Sequence, residues 1–263
     1  MDPTAYLRHI ETAEQVVVLF AAESGSRAWG FPSPDSDWDV RFIYARPTLW
    51  HVQIEAGRDV IEKQYPGDLD VSGWDMRKTM GLILRGNCAV REWLSSPIVY
   101  HSETELVLEL VELVDLVPAR RAARHHYLAL IRRVSGQWLQ RSPVNLKKYL
   151  YAVRPALALR WLRAHPVGTP PMDIGRLQHE VTMTATEQLE LSELLALKAQ
   201  ASEVGMGAPR VAIDAMIATE VMLAAEAAAT EPQEAVSADL IRVVNDLLIK
   251  ASAFADERLR HLV

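Results

Sequence analysis

The sequence predicts an α+β fold: a small mixed β-sheet with flanking helices over residues 1–100, followed by an all-α region over 101–263. Two observations carry this. Before residue 100, short β-rich runs alternate with turn signals. Beyond it, the apolar spacing is helical nearly throughout. With 263 residues, 49% of them apolar, the chain can bury a sizeable core as one large domain or two small ones.

Asp2-Pro3 opens a helix, because Ala5, Leu7, Ile10 and Ala13 form a helical stripe. Four strands follow: "QVVVLFAAES", "WDVRFIYA", "DVIEKQY" and "LDVSGW". "DMRKTMGLILRGNCAVREWLSS" is a helix capped by Asp75, a break at Gly86-Asn87 and a second short helix. Asp68 belongs to the preceding "PGD" turn. "SETELVLELVELVDLV" begins with a capping-box spacing, Ser102 and Glu105. "PARRAARHHYLALIRRVSGQWLQ" starts with proline at a favoured first position. "PVNLKKYLYAVRPALALRWLRAH" is helical, with Pro155 expected to kink or divide it. Two Ala-rich helices close the chain, and "HPVGTPPMD" and "ATEPQEAVS" are loops.

Several classes are excluded. No apolar run is long enough to cross a bilayer, and the N-terminus lacks a secretory pattern. Cys88 is the only cysteine, so neither an internal disulfide nor a thiolate metal cluster is available within one chain. A cytoplasmic location is the expectation. A net charge of −6 argues against a uniformly basic nucleic-acid binder, but the charge is uneven. From Pro118 to Arg163 there are eleven Lys or Arg residues and no acid, so this segment is +11 and the remainder −17. Such a split points to a surface that meets phosphates, or to an amphipathic helix with a basic solvated face.

The chemistry concentrates in "GSRAWGFPSPDSDWDV", residues 25–40. "VVVLF" is a buried strand that ends in a turn at Gly25-Ser26. Backbone N–H groups there, with the Ser26 hydroxyl, can cradle a phosphate. The strand period of two then puts Asp37 and Asp39 on one face, with Trp38 and Val40 turned to the core. Paired carboxylates suit Mg²⁺, and a third acid on an adjacent strand would complete a two-metal site. Asp70, flanked by Leu69 and Val71, is the chosen third acid and a candidate general base. An isolated Asp-x-Asp is weak; the sequence of glycine turn, Asp-x-Asp strand and later single acid is far more restrictive. Lys147, Tyr151 and Arg154 share one helix face and could grip a triphosphate, with Tyr151 stacking on a base or serving as a core aromatic. Arg27 is a further phosphate candidate, and Glu23 is placed to orient it. His125 and His126 diverge around a helix and are structural, and Trp29, Trp74, Trp93 and Trp138 are core or domain-junction residues.

These residues resemble the signature of the polymerase-beta-like nucleotidyltransferase superfamily. More narrowly they resemble predicted nucleotidyltransferases associated with RNA repair ligases, which share "ESGSRAWGF", the "SDxDVRFIY" strand and a later helix, here "LKKYLYAVRPALALRW" at 146–161. The resemblance covers about residues 15–175. It implies the fold of that superfamily, an NTP with two Mg²⁺ ions (Mn²⁺ as a substitute), Gly25 and Ser26 at the triphosphate, and Asp37, Asp39 and Asp70 on the metals. The expected reaction moves an NMP from NTP to a hydroxyl, most naturally an RNA 3′ end in RNA repair, with RNA on the 118–163 segment and an RNA ligase as partner. Two alternatives stay open: nucleotidylation of a protein or small molecule, and a catalytically silent nucleotide- or RNA-binding module.

Overall fold

The protein is described by a computed structural model covering residues 2–55, 57–134, 143–200, 205–232 and 235–260. In chain order the first elements are α1 (Thr4–Glu14), β1 (Val17–Glu23), α2 (Gly25–Ala28), β2 (Trp38–Ala45), α3 (Thr48–His51), β3 (Val60–Tyr65), β4 (Leu69–Asp75), α4 (Met76–Leu84), α5 (Cys88–Leu94) and β5 (Val99–Ser102). Then come α6 (Thr104–Leu116), α7 (Arg120–Val134), β6 (Val144–Asn145), α8 (Leu146–Ala164), α9 (Ile174–Glu180), α10 (Ala185–Gln200), β7 (Met206–Gly207), α11 (Val211–Thr230) and α12 (Ala238–Arg260).

The chain forms two compact units that interleave along the sequence. One comprises Met1–Gly25, Asp37–Pro118 and Glu234–Val263; the other comprises Ser26–Ser36 and Ala119–Gln233. This differs from a division at residue 100. Helices α6 and α12 belong with the sheet because their apolar faces, including Leu110, Leu113, Val244 and Leu247, complete its core.

The first unit is built on a mixed sheet of order β3-β4-β2-β1-β5. β2 and β4 run parallel, in register from Trp38 opposite Leu69 to Tyr44 opposite Asp75, and the other pairings are antiparallel. Alternation along β2 divides the burial between two faces. Val40, Phe42 and Tyr44 pack with Leu7 and Ile10 of α1. Ile43 and Ala45 pack with Met76 and Met80 of α4, Val90 and Trp93 of α5, and the apolar faces of α6 and α12. Asp75 caps α4 by accepting the Arg77 N–H at 2.8 Å, and Asn87 caps α5 through the N–H groups of Ala89 and Val90. Gly86 supplies the left-handed turn between these helices (φ +68). The capping box expected at Ser102 is not formed. Ser102 ends β5, where it pairs with Phe20, and Glu103 precedes α6 without a side-chain cap.

In the second unit α8 runs unbroken through Pro155. The missing proline donor is outweighed by apolar burial on both sides, since Ala152, Val153, Ala156 and Leu157 are fully buried. Among the described residues, no helix is long and apolar enough to cross a membrane.

One glycine on β4 is dictated by packing. A Cβ at Gly73 would lie 2.3 Å from the Phe42 ring on the neighbouring strand. Gly73→Ala is therefore expected to destabilise the protein by about 1–3 kcal/mol in urea unfolding, through overpacking between strands.

Candidate active site

The parallel register of β2 and β4 makes Asp39 and Asp70 direct partners on one face of the sheet. Arg41, two residues beyond Asp39, reaches the same face and bridges them. Its Nη2 lies 2.9 Å from Asp39 Oδ1 and 2.8 Å from Asp70 Oδ2. The repulsion expected of neighbouring carboxylates is thus relieved by a guanidinium from the same strand. Asp37 lies one residue ahead of β2 and is exposed. Its charge is nonetheless felt at Asp39. Burial pushes the Asp39 carboxyl above the ordinary carboxylate range, Arg41 opposes this, and the charges of Asp70 and Asp37 add to the rise.

Glu23, at the end of β1, is fully buried and positions Asp39. Its carboxylate accepts the Asp39 backbone N–H at 2.9 Å and the Tyr100 hydroxyl. The Ser24 N–H donates to the Asp39 carbonyl at 2.8 Å, closing the turn onto β2. Gly25 follows with φ +60, and a Cβ there would lie 2.0 Å from Asp39 Oδ2. No side chain fits between this turn and the Asp39 carboxylate.

The expected three-acid cluster is realised as a pair. Among the described residues no three His, Cys, Asp or Glu side chains come together as a ready metal cage. The chemistry of the donors still fits a hard divalent ion, since Mg²⁺ needs only one or two carboxylates and completes its shell with water and phosphate oxygens. Arg41 takes one oxygen of each partner, and Asp39 Oδ2 faces the glycine turn.

The other expected residues lie in the second unit. Ser26 Oγ bonds Ser36 Oγ at 3.0 Å, and Arg27 Nη2 donates to the Ser36 carbonyl at 2.7 Å. The loop they begin is fastened to α8. Trp29 and Phe31 meet Tyr151 edge-on, with centroids 5.8 and 6.0 Å away. Arg154, expected at the nucleotide, is only 2% exposed. Its Nε donates to the Met172 carbonyl at 2.8 Å and its guanidinium lies 4.8 Å from the Trp29 ring centre. It anchors the loop. Lys198, buried on α10 and unanticipated from the sequence, donates to Ser33 Oγ in the same loop. The side chain of Lys147 falls outside the described residues, as do Trp138 and Arg141. The next residue, Lys148, places Nζ 5.6 Å from the Tyr151 ring centre.

Much of the basic run is spent inside this unit. Arg160 pairs with Glu187 and Glu220 at 3.0 and 2.7 Å, Arg163 with Glu220 at 2.8 Å, and Arg124 with Glu231. Arg120 donates to the His165 carbonyl at 2.7 Å and to that of Leu162, capping the end of α8. Arg132 and Arg133, at the end of α7, are exposed. Of the phosphate-meeting surface expected along 118–163, the cations at 120, 124, 154, 160 and 163 are thus engaged within the unit.

A glycine turn closed onto a strand carboxylate, with a second carboxylate in register on the parallel neighbour, agrees with the polymerase-beta-like nucleotidyltransferase class that the family match shows. The chain belongs to the RNA repair pathway DNA polymerase beta family, whose model matches residues 3–250. It is 40% identical over 244 residues to the uncharacterized protein YcgL of Bacillus subtilis (strain 168), covering 92% of each chain. A nucleotidyltransferase-like protein from Exiguobacterium sibiricum 255-15 aligns over 97% of this chain and 77% of its own, at 8% identity and a TM-score of 0.30, too slight a likeness to argue from.

The raised Asp39 value fixes a sign. The folded state holds this proton more tightly than the unfolded chain, so stability falls as pH rises through the carboxylate range. Asp39→Asn is expected to melt higher than the parent near neutral pH, with Arg41 still paired to Asp70. The difference should shrink as the pH is lowered through that range in a series of thermal melts.

Proposed function

We propose that the protein transfers an NMP from an NTP to a hydroxyl acceptor, an RNA 3′ end, releasing pyrophosphate. The observation that supports this best is the side-by-side placement of Asp39 and Asp70, with the Gly25 turn against the Asp39 carboxylate. In this reading Gly25 and Ser26 take the triphosphate with backbone N–H groups and a hydroxyl, and Arg27 adds a cation. Lys147, Tyr151 and Arg154 serve the nucleotide side, Arg154 by holding the loop that follows Ser26. Asp39 and Asp70 would hold Mg²⁺ or Mn²⁺, which supplies charge neutralisation on the phosphates when bound, and the exposed Asp37 adds its charge beside them. Asp70 accepts the proton of the attacking hydroxyl, while the new oxygen–phosphorus bond forms at the α-phosphate and the bond to pyrophosphate breaks.

A second reading has its own support. Five cations of the basic run, at 120, 124, 154, 160 and 163, are engaged within the protein, which reduces the footprint for a long polyanion. A protein or small-molecule acceptor is consistent with this. Incubation with labelled NTP and Mg²⁺ separates the two: label on an oligoribonucleotide supports the RNA reading, and label on protein alone rejects it. Asp39→Asn and Asp70→Asn are each expected to lower transfer at least about 100-fold, and a variant with full activity would remove that residue from the mechanism. Gly25→Ala should also cost activity about tenfold or more, because its Cβ collides with the Asp39 carboxylate.

A further inference from the structure

The acid pair stands at one end of an open strip on the sheet. Alternation and register align Asp39, Asp70 and Gln64 in one row and Arg41, Ser72 and Glu62 in the next. Trp74 then stands between Ile43 and Val60. On β2 and β4 the apolar core beneath α4, α5, α6 and α12 reaches this face only as far as Ile43 and Trp74. Ahead of them the strip carries polar side chains, and a cavity of about 570 Å³ opens along it. Trp74 is half-buried and backed by the buried Trp93, with ring centres 4.0 Å apart, so its free surface is rigidly presented. Asp70 and Trp74 are four residues apart on one strand, about 13 Å.

We infer that this strip seats the terminal nucleotides of a single-stranded RNA acceptor, with one base stacked on Trp74 and with Ser72 and Gln64 bonding to sugar or base edges. The terminal hydroxyl is thereby delivered to Asp70. The inference rests on the transferase reading above and names where its acceptor sits. An aromatic platform beside small polar groups is the chemistry that holds unpaired bases regardless of sequence. The strip lies on the face of the sheet, perpendicular to its backbone N–H groups, so an extended peptide would pair along the outer edge of β3 and not in the strip. The cations lining the cavity are already matched, Arg41 by Asp39 and Asp70 and Lys63 by Glu14, so the grip is stacking rather than phosphate neutralisation.

The test is titration of the full-length protein, without NTP, with a short single-stranded oligoribonucleotide, read by tryptophan fluorescence. Quenching is expected, with affinity only weakly dependent on salt. Trp74→Leu should bind about tenfold more weakly and raise the KM for the oligonucleotide about tenfold, leaving the KM for NTP unchanged, whereas Trp74→Tyr should retain binding. Should Trp74→Leu not fold, Ser72→Glu serves, since it adds repulsion in the strip without touching the core. Equal affinity and equal KM in folded Trp74→Leu or Ser72→Glu and the parent would overturn the seat, even where RNA is labelled. Binding that depends on Trp74 with no transfer to RNA would uphold the seat and overturn the transferase reading instead.

Discussion

Two aspartates that are 31 residues apart in the chain become nearest neighbours because β2 and β4 run parallel and in register. Parallel pairing needs a crossover, and here the chain passes through α3 and the edge strand β3 before returning as β4. A slip of one residue in that register would turn Asp70 to the α1 side of the sheet, among Val40 and Phe42. What resists the slip is apolar alternation: Leu69 and Val71 are buried against α1, so Asp70 has only the opposite face to occupy. The geometry of the acids is therefore a by-product of core burial, and the site inherits the rigidity of the sheet.

Arg41 changes how the acid pair is understood. A carboxylate pair beside a glycine turn invites a cation, and this chain supplies one from within its own strand. The guanidinium orients both carboxylates and opposes the burial that drives Asp39 toward its neutral form. Glu23 and the Ser24 N–H hold the Asp39 backbone from two directions, and Tyr100 steadies Glu23. Such support is what a site needs if its side chains are to be positioned before substrate arrives.

The basic run illustrates the opposite lesson. Eleven cations without an acid between them look like a surface until the fold is known. Glu187, Glu220 and Glu231, distant in the chain, then come to meet Arg160, Arg163 and Arg124. Arg154 goes further and becomes the buried anchor of the loop after Ser26, stacked on Trp29. Charge clustering along a sequence is not charge clustering in space.

Local physics made several features legible from the sequence. Strand alternation marked "WDVRFIYA" and "LDVSGW", within one residue of β2 and β4, Asp75 read as a helix cap, and Gly86-Asn87 read as the break between α4 and α5. Each depends on residues a few positions apart. The same period of two that linked Asp37 to Asp39 also put Arg41 on their face, a signal present in "DWDVR" and passed over. Tertiary structure alone decided that α12 closes the sheet's core, that the segment 26–36 joins the helical unit, and that Lys198 holds Ser33. These contacts join residues more than a hundred positions apart, and which apolar face meets which is settled only when the whole chain competes for burial.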